Sequence, residues 1–407
     1  MLNNYIIYTI FNPQTLTKVS KLRLCSCQKV EGITHHYQKI AKMFTIDAHL
    51  DLATNAISLN RDLKKSVHQI RKFERDLALN DTPDRGNGTV ALPELRQGNI
   101  GLVIATIISR YSATGQQIPS LKLNGWHSPE QAYAFAQAQL GWYSVMEEQG
   151  EMVQIRNLID LENHLKLWAD ESISNEKKPV GYILSLEGAD SIIDLSYLEK
   201  YYENGLRAIG LSHFGPGRYA AGTNSDGTGL TNIGKELLRE MDKMNIILDT
   251  THLTDKGFFE AVDIFKGTIW ASHQNCRSVI AGERQFSDEQ IKIIIERGGV
   301  LGGALDAWML YPDFKRATDN PKALGINLES LVNHFDHICQ LAGNVNHIAF
   351  GSDLDGLFGL EQSPYDLNTI ADLAKFEGIL QKRGYSEDDT KKIFHGNWLR
   401  LIRKTWK

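Results

Sequence analysis

The stretch NIILDTTHLTDKGFFEAVDIFKGTIWASH, residues 245–273, contains two short apolar runs that each end in a histidine. The runs cover residues 245–252 and 267–273, and the segment between them has the spacing of apolar residues typical of an amphipathic helix. Short, nearly continuous apolar runs are typical of strands buried on both faces of a parallel sheet. The stretch therefore predicts strand, helix and strand, with His252 and His273 at the same end of neighbouring strands.

The same alternation extends from residue 44 to the C-terminus. Six further strand candidates have a similar composition: residues 44–52, 100–108, 180–188, 206–213, 299–306 and 347–354. Amphipathic segments lie between strands, at residues 130–149, 233–244, 255–265 and 287–297. Eight strands that alternate with helices predict an α/β protein with one (β/α)₈ TIM barrel and insertions, rather than two domains.

The composition is that of a globular protein, with 42 % hydrophobic residues and a formal net charge of −5 over 407 residues. Without a basic stripe, this charge gives no electrostatic support for a nucleic-acid partner. The sequence has no run of 18 apolar residues that would predict a membrane span, so we expect no membrane partner. Four cysteines do not form a disulfide framework in a chain of this length. We therefore expect a reducing compartment and a cytoplasmic protein.

The first 42 residues differ from the rest of the chain. Their apolar stretch YIIYTIF is too short for a secretory signal, and Met43 immediately precedes the first convincing strand. We expect residues 1–42 to lie outside the fold, as a disordered extension or as residues absent from the native protein. Residues 43–407 are then expected to form a single metallo-hydrolase barrel domain.

Polar residues end seven of the eight predicted strands. They are His49 with Asp51, Glu187, His213, His252, His273, Asp306 and Asp353. The C-terminal ends of barrel strands meet at one mouth, where barrel enzymes place their chemistry. The pattern therefore predicts an active site at the C-terminal strand ends.

Five of these residues form a candidate site for two divalent cations. His49 and Asp51 are two apart on one strand, so both side chains point to the same face. His252 and His273 end consecutive strands, and neutral imidazole suits zinc and other first-row metals. Glu187 has two carboxylate oxygens that can bridge two cations. Paired cations about 3.5–4 Å apart can share an activated hydroxide. The alternatives for each residue alone are a core histidine or a structural ion pair.

Two further residues have the chemistry that peptide hydrolysis needs. Asp353, in FGSDLDG, is our candidate for carrying the proton from water to the leaving amine. Asp355 is the neighbouring candidate, but its place before Gly356 also fits a turn or cap. His213 can polarise the substrate carbonyl and stabilise the oxyanion, with a core histidine as the alternative.

An arginine near the mouth can bind a substrate carboxylate with two hydrogen bonds. Arg284, in GERQFSD, is the candidate, and a solvated surface arginine is the competing interpretation. Arg218 competes for the same role. Asp306 and Trp308 follow the seventh strand, where they would line the pocket.

In this order, these segments resemble the membrane (renal) dipeptidase family of zinc peptidases, within the metal-dependent hydrolases. The resemblance covers roughly residues 44–402. It is carried by IDAHLDL (46–52), ILSLEGAD (183–190), LRAIGLSH (206–213), the stretch from GLT to HLTD (229–255), ERQFSDEQ (283–290), HIAFGSDLDG (347–356) and GNWLRL (396–401).

The resemblance implies a metallopeptidase that hydrolyses dipeptides with two zinc ions per chain. Glu187 would bridge the ions, with His49 and Asp51 on one and His252 and His273 on the other. The family resemblance also suggests a homodimer.

By the same match, three residues would act on the dipeptide. His213 would contact the scissile carbonyl, Arg284 would hold the terminal carboxylate, and Asp353 would transfer protons. Departures from the family pattern occur at Leu50, in the loop 214–229 and after the seventh strand. They affect substrate contacts and leave the predicted metal ligands in place.

Three functions follow from these residues. The first is a dipeptidase that uses a binuclear-zinc-activated hydroxide. The second keeps the metals and changes the bond to another small amide, an N-acyl amino acid or a lactam-like ring. The third is a non-catalytic metal-binding barrel, which is disfavoured because every predicted ligand and the predicted base are present.

Overall fold

Eight parallel strands form the centre of the protein in the computed structural model, which describes residues 43–112 and 125–406. They are β1 (Thr45–Leu50), β2 (Ile100–Ile108), β3 (Val180–Glu187), β4 (Leu206–Gly210), β5 (Ile247–Asp249), β6 (Ile269–Trp270), β7 (Leu301–Gly303) and β8 (Ile348–Phe350). All eight predicted strands are present. Most end earlier than predicted, because the residues at the mouth leave the regular ladder.

The strands follow the order β7, β8, β1, β2, β3, β4, β5, β6, and every pairing between them is parallel. A bridge between Ala271 and Leu301 joins the two ends of this order, and the Gly302 N–H donates to the Ala271 carbonyl at 2.8 Å. A Cβ on Gly302 would lie 2.0 Å from the Ser272 carbonyl oxygen. This seam of the barrel therefore closes only because Gly302 has no side chain.

Helices connect successive strands, as the amphipathic segments predict. The α-helices are Leu52–Ile57, Val67–Asp76, Leu92–Gln97, Pro129–Glu148, Leu158–Ala169, Leu195–Glu203, Asn232–Lys243, Asp255–Ile264, Asp288–Glu296, Ala307–Leu310, Glu329–Ala342, Phe376–Lys382, Glu387–Lys391 and Asn397–Thr405. Short 3₁₀ helices occur at Asn175–Lys177, Leu360–Gln362 and Ile370–Lys375, with a π-helical turn at Lys392–Gly396. The predicted helical segments agree with the observed helices to within a residue or two.

Three short strands lie outside the barrel order. Met152–Gln154 pairs with β3, and Arg110–Tyr111 pairs with Gly125–Trp126. Residues 44–407 cluster into one compact unit. The predicted extension, residues 1–42, lies outside the described residues. None of the helices in the described ranges is both long and apolar enough to cross a lipid bilayer.

The C-terminal helix contacts the barrel strands through Trp398 and Asn397. Trp398 is fully buried and packs edge-on against Trp270 of β6, with ring centroids 5.7 Å apart. Its indole N–H donates to the Phe350 carbonyl at 3.0 Å, and Asn397 donates to the Ile348 carbonyl at 2.8 Å. The helix therefore covers apolar side chains of the strands and satisfies carbonyls around β8.

Candidate metal centre and active site

The C-terminal ends of the barrel strands surround one cavity of about 440 Å³. Seven of the eight predicted site residues line it: Asp51, Glu187, His213, His252, His273, Arg284 and Asp353. His49 lies against the same cluster, with its Nε2 3.5 Å from Glu187 Oε1. The structure thus brings all eight predicted residues to one place, as the barrel topology requires.

Glu187 is the centre of this cluster. Its Oε1 lies 3.1 Å from His252 Nε2, 3.4 Å from His273 Nε2 and 4.0 Å from His213 Nε2. The carboxylate is 7 % exposed, and the imidazoles that face it are also buried or nearly so. One carboxylate oxygen therefore lies within 4 Å of four imidazole nitrogens contributed by four other strands.

Asp51 belongs to a second group of candidate ligands around His49. Asp51, His49 and Asp353 form a group whose candidate ligand atoms all lie within 4.8 Å of one another. The Thr106 hydroxyl of β2 donates to Asp51 Oδ1, which fixes the carboxylate. His49 therefore belongs both to this group and to the cluster around Glu187, where it lies beside His273.

The donor set fits a divalent metal, judged by the atoms that lack partners. His49 Nε2 is buried and has no hydrogen-bond partner. His252 Nε2 and His273 Nε2 point at each other at 3.0 Å, so two nitrogens compete for one proton. Imidazole nitrogens and carboxylate oxygens that converge in this way are the ligands of zinc and related metals. Ligation by the five named residues stays a prediction.

Hydrogen bonds from residues outside the predicted set orient the imidazoles. Ser272 Oγ lies 2.9 Å from His273 Nδ1 and 3.3 Å from His49 Nδ1. Asp47 Oδ1 accepts from the N–H groups of His49 and Ser352, at 3.1 and 2.9 Å. The contacts of Ser272 orient the two rings, as such partners do for metal-binding histidines, and the bonds of Asp47 hold the backbone of His49. The sequence analysis missed them, although the spacing of two between Asp47 and His49 was a usable signal.

Asp249 of β5 has a similar supporting role. Its Oδ1 accepts from the Thr251 N–H and hydroxyl and from the Ser272 N–H, at 3.1, 2.7 and 3.1 Å. The contact joins the end of β5 to the end of β6. It therefore fixes the distance between the segments that carry His252 and His273.

Two of the candidate residues are among the non-glycine residues of the described chain that have positive φ angles. His252 and Asp353 have positive φ angles of 66° and 60°, and Asp355 and Leu357 follow with 59° and 66°. Side-chain-bearing residues adopt this region at a cost of order 1–2 kcal/mol each, and such residues cluster at functional sites. Neighbouring contacts hold the strained segment, because the Asp355 carboxylate accepts from Thr89 and Val90.

Burial dominates the electrostatics of the cavity. It raises the pKa of Asp51 to about 6, with the Glu187 charge adding to the rise. Burial likewise raises the pKa of Asp353 well above its usual range, although His49 opposes the shift. Burial lowers the pKa of His213 to about 4, so this imidazole is neutral at neutral pH. Carboxylates gathered in a buried site are stabilised by a bound cation.

The two candidate arginines lie in different surroundings. Arg284 is 3 % exposed, lines the cavity and donates to Gln274 Oε1 at 2.6 Å and the His273 carbonyl at 3.0 Å. Within the described chain it forms no ion pair with a carboxylate. Arg218 instead donates to the carbonyls of Ile192 and Ile193, at 2.7 and 3.2 Å, away from the cavity lining. Arg284 is therefore placed to receive a carboxylate.

The remaining candidates also separate. Asp355 is 2 % exposed and accepts hydrogen bonds from Thr89 and Val90, so these contacts give it a structural place, as a turn residue would predict. Asp306 and Trp308 line the cavity, and the Trp308 ring lies 6.0 Å from the Phe214 ring. The cavity is therefore lined by ionisable groups around Glu187 and by aromatic rings that include Trp308 and Phe214.

Comparison with known proteins agrees with the geometry. A family model described as membrane dipeptidase, peptidase family M19, matches residues 36–407. An uncharacterised protein in the pqqA 5′ region of Klebsiella pneumoniae is 27 % identical over 246 residues, which cover 58 % of this chain and 87 % of that protein. Dipeptidase tcpJ of Claviceps purpurea is 24 % identical over 234 residues, which cover 55 % of this chain and 51 % of that protein. The match thus spans about half the length of tcpJ.

A solved structure has the same fold. A metallopeptidase from Rhodobacter sphaeroides, crystallised with a phosphinate mimic of the dipeptide L-Ala-D-Ala, superposes with a TM-score of 0.70. The alignment has 24 % identity and covers 89 % of this chain and 99 % of that chain. The predicted barrel is thereby confirmed.

Proposed function

The chain belongs to the membrane dipeptidase family, peptidase family M19, and from this premise we propose that it hydrolyses the peptide bond of dipeptides with two zinc ions. The observation that carries the proposal is the convergence on Glu187 of imidazoles from four strands, beside an arginine without a carboxylate partner. The family supports a metal cofactor. Zinc, two ions per chain and the bridging position of Glu187 are part of the proposal.

Five residues would hold the metals. His49 and Asp51 would bind one ion, His252 and His273 the other, and Glu187 both. Bound divalent cations lower the pKa of water and polarise carbonyl oxygens, which is the chemistry that amide hydrolysis needs at neutral pH. The hydrogen bonds of Asp47, Asp249 and Ser272 would keep the ligands in place when the metal exchanges.

Two residues would position the dipeptide. Arg284 offers N–H groups beyond the two it uses within the protein, so its guanidinium can receive the C-terminal carboxylate. The neutral His213 would donate one N–H to the scissile carbonyl oxygen as negative charge develops there. Its Nδ1 is buried without a partner, and its Nε2 faces the cluster. The carbonyl would thus be held between His213 and the metal ligands.

Asp353 would move the proton. Its Oδ1 lies 3.8 Å from His49 Nε2 and its side chain lines the cavity. The carboxylate would take a proton from water as the C–O bond forms, then give it to the amine nitrogen as the C–N bond breaks. The net reaction consumes one water and releases two amino acids.

The proposal is tested with a panel of L,L-, L,D- and D-containing dipeptides, incubated with zinc-loaded protein and with chelated protein. We expect release of free amino acids that the chelator abolishes and zinc restores. A second arm compares each good substrate with its C-terminal amide. Arg284→Lys should reduce kcat/KM for the free acid and leave the amide almost unaffected, because only the acid uses the guanidinium.

Two results would contradict parts of the proposal. If the protein binds metal and cleaves no dipeptide, the substrate is another small amide, such as an N-acyl amino acid or a lactam-like ring. If Arg284→Lys affects acid and amide equally, the arginine has a structural role and does not bind the carboxylate.

We also propose that the protein is cytoplasmic and forms a homodimer. The cysteines in the described part of the chain, Cys276 and Cys339, are free, which suits a reducing compartment. The dimer rests on the family resemblance alone. Cell fractionation and light scattering coupled to size-exclusion chromatography test these two statements.

A further inference from the structure

The cavity contains a buried carboxylate that the proposed mechanism does not use. Asp306 follows β7, lines the cavity and is 5 % exposed. Its carboxylate accepts only from neutral groups: the Trp308 N–H at 3.2 Å, the Trp308 indole, and the Gln362 amide at 2.8 and 3.0 Å. No lysine, arginine or histidine of the described residues forms an ion pair with it.

Helix capping alone does not explain a buried carboxyl group at this position. Asp306 is the N-cap of the short helix Ala307–Leu310, and an uncharged serine or asparagine would cap equally well. Asp194 caps Leu195–Glu203 in the same way, and there the Ser196 hydrogen bonds lower the carboxyl pKa. At Asp306 burial outweighs such bonds and raises the pKa to about 7. Capping therefore does not require a buried acid at this position.

The surroundings of Asp306 supply the other parts of a cation site. Gln362 also lines the cavity and directs its amide nitrogen at Asp306, and its carbonyl oxygen accepts no hydrogen bond from the described residues. Trp308 and Phe314 add aromatic rings to the same wall, and aromatic faces attract cations. The nearby Arg316 is engaged by Glu361 at 2.5 and 3.1 Å, so its charge is compensated.

We infer that Asp306, with Gln362 and Trp308, binds a positively charged nitrogen of the substrate. The inference rests on the proposed dipeptidase function and adds a substrate preference to it. Arg284 and Asp306 then hold opposite charges of one small molecule on neighbouring parts of the wall. The nitrogen comes either from the free α-ammonium or from a basic side chain.

The test compares matched dipeptides that contain lysine or norleucine, at the first or second position, with wild type, Asp306→Asn and Asp194→Asn. Asparagine keeps the N-cap at both positions, so Asp194→Asn controls for the substitution itself. For a basic side chain, wild type should prefer lysine over norleucine by about tenfold to a hundredfold in kcat/KM at one position. Asp306→Asn should remove that preference, and Asp194→Asn should keep it.

The α-ammonium gives a different pattern. Wild type then shows no preference for lysine over norleucine, and Asp306→Asn lowers kcat/KM for every dipeptide by a similar factor. N-acetylation of the dipeptide should lower kcat/KM of wild type by that same factor and leave kcat/KM of the variant unchanged. If Asp306→Asn changes neither the lysine preference nor the common kcat/KM, the inference is overturned.

Binding of the free amino acids separates this inference from the proposed function. Lysine and norleucine carry no peptide bond, so calorimetry measures their affinity for zinc-loaded protein whether or not dipeptides are cleaved. Weaker binding of either to Asp306→Asn than to Asp194→Asn supports the cation site even if hydrolysis is absent. Equal binding by both variants, with hydrolysis intact, contradicts the cation site and leaves the dipeptidase proposal standing.

Discussion

Replacing Arg61 by methionine should destabilise the protein far more than the same change at a surface arginine. Arg61 is 3 % exposed and donates to Glu74 at 2.9 Å, to Asp84 at 2.8 Å and to Asn55 at 2.7 Å. The side chains of these two carboxylates are about 2 % exposed, as is that of Asp355, whose Oδ2 lies 3.9 Å from Arg61 Nη1. Removing one partner of a buried ion pair typically costs about 3–5 kcal/mol, because the remaining charge stays desolvated.

The structure narrows this magnitude. Glu74 keeps Arg85 at 2.7 Å and the Gly86 N–H at 2.6 Å after the change, so it is not left alone. Asp84 loses the cation that binds its Oδ2 at 2.8 Å. We therefore expect a loss near the lower end of the range, about 3 kcal/mol in the free energy of unfolding.

Arg403→Met is the matched control. Arg403 binds Glu162 with two hydrogen bonds of 2.6 and 3.0 Å, and both side chains are 37–45 % exposed. Exposed pairs contribute about 0–1 kcal/mol. The assay is urea unfolding of metal-free wild type and both variants, so that metal affinity does not enter the comparison. Equal unfolding midpoints for the two variants would refute the reasoning.

Arg61→Met should also lower the activity of the folded protein. Asn55 accepts from Arg61 and donates to the Asp355 carbonyl at 2.8 Å, two residues from Asp353. Loss of Arg61 removes the hydrogen bond that holds the Asn55 side chain. The bond from Asn55 to the strained segment that carries Asp353 should then be weaker. We expect kcat/KM to fall in folded Arg61→Met, while Arg403→Met keeps the wild-type value.

Three further outcomes are expected. Chelation should lower the melting temperature and zinc should restore it, because the metal would satisfy the buried His49 nitrogen; no shift on metal removal contradicts the assigned site. Asp353→Asn should reduce kcat by about 10²–10⁴-fold with unchanged zinc content by atomic absorption; loss of zinc would make Asp353 a ligand instead. Burial lowers the pKa of His164 from 6.5 to about 4, so the unfolded chain binds more protons in that interval and stability falls as pH decreases through it. From pH 7 to 5, His164 should contribute about 2 kcal/mol to the drop in unfolding free energy, so His164→Gln should reduce that drop by about this amount and exposed His127→Gln should leave it unchanged.

The strands and their order along the chain could be predicted because buried parallel strands consist of local apolar runs. β2 is one such run, and its bounds were predicted to the residue. The strand β5 shows the limit, since residues 245–252 were expected and only Ile247–Asp249 pair regularly. There Asp249 accepts backbone and hydroxyl hydrogens and His252 adopts a positive φ, which no apolar pattern encodes.

The sequence by itself determined which chemical groups reach the mouth, because the C-terminal ends of parallel strands must meet at one edge of the barrel. His252 and His273 needed nothing more than that rule. The sequence already favoured Arg284 and Asp353 as the acting residues. Only the tertiary structure shows that both line the cavity, whereas Arg218 and Asp355 are not among its lining residues. The direction of a side chain in a loop depends on partners far away in the chain, as the bond between Asn55 and Asp355 across 300 positions shows. The lack of an ion pair at Asp306 among the described residues has the same origin, because packing pairs the nearby Arg316 with Glu361.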